Sequence, residues 1–295
     1  MPLDYEKLMR WPINEVRQRY DERDTMLYAI GVGAAMDNPV APEDLQFVYE
    51  KELNALPSML AVLAAPPFWM ADPATGIDPN MMLHGEQCLT VHRPLPAAGT
   101  LIGQDRVEEI IDKGAGKAAL MYVSRSLRDA SSGEQVATVG YAVVLRGHGG
   151  FGGPDSSSRQ PHPMPVNAPP DHVVELATRP EQAVIYRLSG DDNPLHIDPR
   201  IAARAGFEKP ILHGLASYGV AARALIRALC GNAPARLRRL DVRFASPVYP
   251  GETLRTEIWR GDGHDASFRV SVVERDIVVL NNGYVEFDPD KPSEN

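Results

Sequence analysis

The stretch HGLASYGVAARALIRALCG, residues 213–231, is apolar on most faces of the helix it predicts. At 3.6 residues per turn, Leu215, Tyr218, Ala222, Leu225, Ile226 and Leu229 share one stripe. Arg223 and Arg227, one turn apart, are expected to mark a narrow wet edge. Gly231 suits the C-terminal cap. Four β-prone runs follow: LRRLDVRFASPV, TLRTEIWR, SFRVSVVER and IVVLNNGYVEF. Three of them are separated by short turns such as YPGE and GDGHD, which is meander spacing. One long buried helix followed by an antiparallel meander predicts an α+β unit in which a sheet wraps around the helix.

The surrounding sequence extends this pattern. HVVELA, residues 172–177, reads as a strand. TRPEQAVIYRLS then reads as a helix, with Thr178 as N-cap, Pro180 in the first turn and Glu181 completing a capping box. Asp198-Pro199 opens a further short helix. The first half ends in a similar series: EQCLTVHR, TLIGQDRVEEII, AALMYVSRSLRD and EQVATVGYAVVL. PLPAAGTL (94–101) parallels PVYPGETL (247–254), which suggests internal duplication. Between the halves, GHGGFGGPDSSSRQPHPMPVNAPP (147–170) is a Gly/Pro/Ser-rich segment without apolar periodicity. The expected organisation is an N-terminal unit over 1–146, a linker over 147–171 and a C-terminal unit over 172–295.

Bulk properties narrow the function. A net charge of −9 over 295 residues argues against general nucleic-acid binding. Cys88 and Cys230 lie too far apart for a zinc motif or a disulfide framework, which suits a reducing compartment. The charged N-terminus lacks a signal-peptide core, and no run of about 18 apolar residues spans a membrane. The C-terminal SEN is not an SKL-type address. The expected location is the cytoplasm.

The segment YRLSGDDNPLHIDP, residues 186–199, concentrates polarity between apolar neighbours. Three readings are open. Asx residues and prolines make turns and caps, and Asp198 fits a cap. Asp and His also bind metals, but the spacing has neither the HExxH nor the EF-hand form. Third, Asp191 and His196, on a loop bent by Pro194, could hold one water and exchange a proton with it. Downstream, Gly214 starts the long helix. Its amide is an orphan donor at the positive end of the dipole, suited to an oxyanion on a thioester carbonyl, and the glycine equally suits a tight strand-to-helix entry. His213 has no forced role.

YRLSGDDNPLH followed by AGFEKPILHG resembles the signature of the MaoC-like (R)-specific, or type 2, enoyl-CoA hydratases. YAIGVGA, DLQFVYE, LPSMLAV, MLHGEQ, DKGAGKAA, GFGG and RFASPVYPGETL extend the resemblance from about residue 20 to 288 and point to the two-module members.

The resemblance implies a double hot-dog: two antiparallel sheets, each around a central helix, with catalysis in the C-terminal unit. The N-terminal unit would be a degenerate, acyl-accommodating partner, and Pro66 and Pro67 would stop its helix early. It implies hydration of trans-2-enoyl-CoA to (3R)-3-hydroxyacyl-CoA, with water held by Asp191 and His196, Asn193 orienting loop or water, and the Gly214 amide holding the oxyanion. His84, Gly85, Lys113, Asp192, Pro194, Leu195 and Phe244 would contact the acyl-CoA. Lys113, flanked by Gly114 and Gly116, suits a phosphate. Arg236, Arg238, Arg239 and Arg243 are further candidates for a basic patch, or else solvated strand-edge charges. No cofactor, resident metal, nucleic acid or membrane is implied, and a homodimer is expected. Asp192 stands where the family is often aromatic, and a second carboxylate there would raise the proton affinity of the pair. A hot-dog thioesterase and a non-catalytic acyl-CoA-binding module are the rival readings.

Overall fold

A computed structural model describes residues 3–36 and 38–289. The C-terminal SEN therefore lies outside the described residues. The N-terminal half runs α1 (Tyr5–Met9), β1 (Val16–Tyr20), α2 (Glu22–Gly31), α3 (Pro42–Val48), β2 (Met82–Val91), β3 (Gly99–Asp112), β4 (Ala119–Asp129) and β5 (Gln135–Leu145). The C-terminal half runs β6 (His172–Ala177), α4 (Gln182–Tyr186), α5 (Pro199–Arg204), α6 (Gly214–Leu229), β7 (Leu237–Phe244), β8 (Thr253–Arg260), β9 (Asp265–Val272) and β10 (Ile277–Phe287).

The strands form one antiparallel sheet in the order β1-β3-β4-β5-β2-β7-β10-β9-β8-β6. Each half repeats one plan, and the second is the mirror order of the first, so the double hot-dog architecture holds. The two expected sheets are continuous with each other through the β2–β7 ladder. There Glu86 faces Arg243, Cys88 faces Asp241 and Thr90 faces Arg239. The spacing that carries PLPAAGTL onto PVYPGETL also carries Cys88 onto Asp241. The ladder is thus centred on a pseudo-twofold axis that passes between duplicated positions.

The helix α6 lies at the centre of the main core. Ala221, Ala222, Ala224 and Leu225 are fully buried there, and Leu254, Ile258, Phe268 and Val270 of the sheet close around them. Each fully buried large apolar side chain contributes about 1.5–3 kcal/mol, so this contact dominates the C-terminal half. Gly231, at φ +57, ends the helix as its composition predicts.

Among the described residues, the N-terminal half has no counterpart of that length. A 3₁₀ turn, Pro57–Ala61, takes the place of the helix. Its last carbonyl, at Ala61, and that of Leu63 just beyond it accept bonds from the buried Arg125 guanidinium. Arg125 is itself paired with Asp105 on the next strand, 2.7 Å away, and Asp105 accepts the Tyr141 hydroxyl. The short helix therefore ends on a side-chain cap, before Pro66 and Pro67 are reached.

Two local readings are corrected. Thr178 does not cap α4. Its hydroxyl donates to the Glu252 carbonyl and accepts from the Gly251 amide, which ties β6 to the loop before β8. The helix begins later, after Glu181, and has no side-chain cap. Arg223 is not on a wet edge either. It is buried against Asp44 of α3, while Arg227, partly exposed, reaches the same carboxylate at 2.8 Å. Asp198 does cap α5, accepting from the Arg200 amide.

Candidate active site

Gly190, at φ +114, turns the chain out of α4 and its following 3₁₀ turn into the polar loop. The Asn193 side-chain oxygen accepts from the Leu195 amide at 3.0 Å and caps a second 3₁₀ turn, Pro194–His196. Asn193 and Asp198 thus make local turns, as the bland reading of the segment allows. The turn directs His196 inward, where it is 9% exposed, while Asp192, Asn193 and Pro194 stay exposed. The acceptor or donor atoms of Asp191, His196 and His213 all fall within 4.8 Å of one another.

The hydrogen bonds define the tautomers. His196 Nδ1 lies 2.9 Å from the Ile211 carbonyl. A carbonyl only accepts, so Nδ1 carries the hydrogen and Nε2 keeps a lone pair. His213 Nε2 lies 3.1 Å from the Asp191 carbonyl, so there Nε2 donates and Nδ1 is the acceptor. Burial lowers the His196 pKa below the ordinary value, against opposing pulls from the Ile211 carbonyl and Asp191. Burial, reinforced by His196, holds His213 down at about 3. Both rings are therefore neutral near pH 7.

The α6 N-terminus completes the cluster. The Ala216 and Ser217 amides bond the His213 carbonyl, so the Gly214 and Leu215 amides precede the helix's own ladder. Gly214 keeps this end open, since a Cβ there would stand 3.0 Å from Cε1 of Phe244. The Phe244 ring packs on His84 with centroids 4.7 Å apart. Gly85 is the extra, bulged residue of β2, between His84, which pairs with Val143, and Glu86, which pairs with Ala142. His84 keeps accessible surface, and its Nε2 lies 3.1 Å from the Glu86 carbonyl. Burial lowers its pKa to about 4, with the nearby Asp191 carboxylate pulling the other way.

Lys113 lies on the β3–β4 turn, at the end of the sheet that also carries Met82 and His84. Three strand spacings, about 14 Å, separate its strand from that of His84. Its ammonium reaches the Asp155 carbonyl at 3.4 Å. The structure thus brings Asp191, His196, Gly214, His84, Gly85 and Phe244 together and leaves Lys113 at the rim.

The candidate arginines are paired along the strands, as the strand-edge reading allows. Arg238 pairs with Asp288, Arg239 with Asp241 and Glu286, and Arg243 with Glu86, while Arg236 donates to the Asp288 carbonyl. The charges of Arg238, Arg239 and Arg243 are thus balanced by carboxylates on or beside the same sheet. Asp191, His196 and His213 also have the composition of a metal site. However, the two imidazoles lie face to face, centroids 3.8 Å apart and planes at 30°. Lone pairs lie in the ring planes, and stacked planes cannot both direct one to an ion about 2.1 Å from each nitrogen. Open cavities of about 480 and 590 Å³ lie beside Arg17 and Asp129 and beside Trp11, apart from these groups. His213 is the residue that sequence reasoning left without a role. Its position immediately before Gly214 is the signal that could have found it.

Residues 18–147 match the MFE-2 hydratase 2 N-terminal domain, and residues 162–282 match the MaoC like domain. The chain is 44% identical over 277 residues to 3-hydroxyacyl-thioester dehydratase Y of Mycobacterium tuberculosis, covering 91% of this chain and 93% of that one. It is 38% identical over 298 residues to peroxisomal enoyl-CoA hydratase 2 of Arabidopsis thaliana, covering 95% and 94%. A MaoC-like dehydratase from Phytophthora capsici superposes with a TM-score of 0.86 at 36% identity, covering 98% and 100%. Fold and relatives together define a hydro-lyase of the double hot-dog type. Within that class, the chain belongs to the MaoC-like type 2 hydratase family, whose members place an N-terminal module before the MaoC-like one.

Proposed function

We propose that the protein catalyses the reversible syn hydration of trans-2-enoyl-CoA to (3R)-3-hydroxyacyl-CoA in fatty-acid metabolism. The observation that carries this reading is the convergence of the Asp191 carboxylate and the His196 imidazole beside the first turn of α6. One water sits between the two groups. Its oxygen bonds to C3, and one of its protons is passed through the pair to C2 on the same face. The His196 Nε2 lone pair accepts from that water, because Nδ1 is committed to Ile211. As the C2–C3 double bond opens, charge moves to the thioester oxygen, and the Gly214 amide stabilises it. One such donor is worth about 3 kcal/mol of barrier.

Phe244 and His84 form the apolar wall against which the enoyl group lies flat. Lys113, at the rim, meets a CoA phosphate. Loss of enoyl absorbance with crotonyl-CoA tests the proposal, with a thiol reagent run in parallel. Release of free CoA without hydration would mark a thioesterase, and binding without turnover a non-catalytic module. A homodimer is the expected assembly, and light scattering after gel filtration tests it.

A further inference from the structure

Resting on the hydration reading above, we infer that His213 is a positioning residue that locks the acid–base loop to the oxyanion end of α6. Three contacts carry the inference. His213 is fully buried, and its ring lies face to face with His196 at 3.8 Å. Its Nε2–H donates to the main-chain carbonyl of Asp191 at 3.1 Å. Its own main chain leads directly into Gly214. One side chain thus contacts both members of the pair and is covalently adjacent to the proposed oxyanion donor. Tyr186 also packs on the ring, centroids 5.0 Å apart with planes tilted by 51°, so the imidazole has two aromatic neighbours.

A histidine that merely filled the core would be replaceable by another ring of similar size. The contacts here require two separate properties, a flat surface for His196 and a donor aimed at the Asp191 carbonyl. The neutral state matters as well, because an imidazolium stacked on His196 would oppose proton uptake by its Nε2.

The test separates the two properties. His213→Phe keeps a ring and removes the donor. His213→Gln offers an amide N–H at the reach of Nε2, and His213→Asn is too short. His213→Gln is expected to keep kcat within about 10-fold of wild type, while His213→Phe and His213→Asn fall by about 100-fold, each with KM within about threefold. Phe matching or exceeding Gln would overturn the inference. If His213→Phe fails to fold, Gln against Asn makes the same comparison. ¹⁵N NMR of the wild-type imidazoles gives a readout independent of turnover. His213 is expected to be protonated on Nε2 without titrating between pH 5 and 8, and an Nδ1–H tautomer or a titration in that range would overturn the inference. Wild-type protein that fails to hydrate enoyl-CoA would sink the functional reading instead, a result separate from the ranking of the variants.

Discussion

Asp44 of α3 and Arg223 of α6 stand 3.2 Å apart across the boundary between the two halves, their side chains only 4% and 3% exposed. Arg223 also donates to the Val32 carbonyl, and Asp44 accepts from the Ala35 amide. Burial alone would raise the Asp44 carboxyl, but Arg227 and Arg223 outweigh it and hold its pKa below the usual value. Asp44→Ala leaves two guanidiniums without their shared counter-charge. It is expected to cost about 3–5 kcal/mol, read from denaturant midpoints. The advantage of wild type over Asp44→Asn should be complete above about pH 4, the unfolded value. It should disappear as pH falls through the lower folded value.

The acid–base pair gives the most direct test of mechanism. Asp191→Asn and His196→Gln should each lower turnover at least about 100-fold, the low end for lost proton transfer. Circular dichroism should remain that of wild type. A folded variant with near-normal rate on crotonyl-CoA would remove the assigned role.

Activity and stability should respond to acid through the two stacked imidazoles, activity through His196 and stability through His213. His196 must be neutral to accept a proton, and its pKa lies below the ordinary value. The rate is therefore expected to be flat from pH 8 to about 6.5 and to fall only below that. His213 binds its proton far less readily folded than unfolded. Below about pH 6.5 the unfolded chain takes up that proton and the folded one does not. Stability should then fall by about 1.4 kcal/mol per pH unit for this one group. Urea titrations of wild type and His213→Gln from pH 7 to 5 measure the difference in slope.

Gly214 is predicted to tolerate no side chain. The new methyl of Gly214→Ala would press on Phe244 and shift the helix-start amide. A drop in kcat of about 100-fold is expected, the scale of one lost oxyanion donor. Gly214→Ala combined with Phe244→Leu should recover part of it. No recovery would show that the defect lies in the helix start and not in the contact with the ring.

The elements that sequence patterns reveal are those whose stabilising partners are close in the chain. The α6 stripe, the meander and the Asp198 cap follow from local periodicity and local bonds. Asp191 and His196 share one bent loop, so their convergence is legible from it. Arg223 looked wet because two arginines one turn apart usually face solvent, and its partner lies on α3 in the other half. The β7 arginines looked free because Asp288, Glu286 and Glu86 reach them only once the strands pair. Thr178 had the right neighbours for a cap, but the Glu252 carbonyl competed for its hydroxyl. The continuity of the sheet depends on the β2–β7 register, which no periodicity specifies.

That register has an evolutionary corollary. Where two identical chains meet about a twofold axis, the residue on the axis must confront its own copy. An aspartate there would face an aspartate, and two part-buried carboxylates repel. A fused chain is freed from that restriction, and here a thiol, Cys88, confronts a carboxylate, Asp241. Covalent joining thus lets the two modules diverge even at their point of closest symmetry.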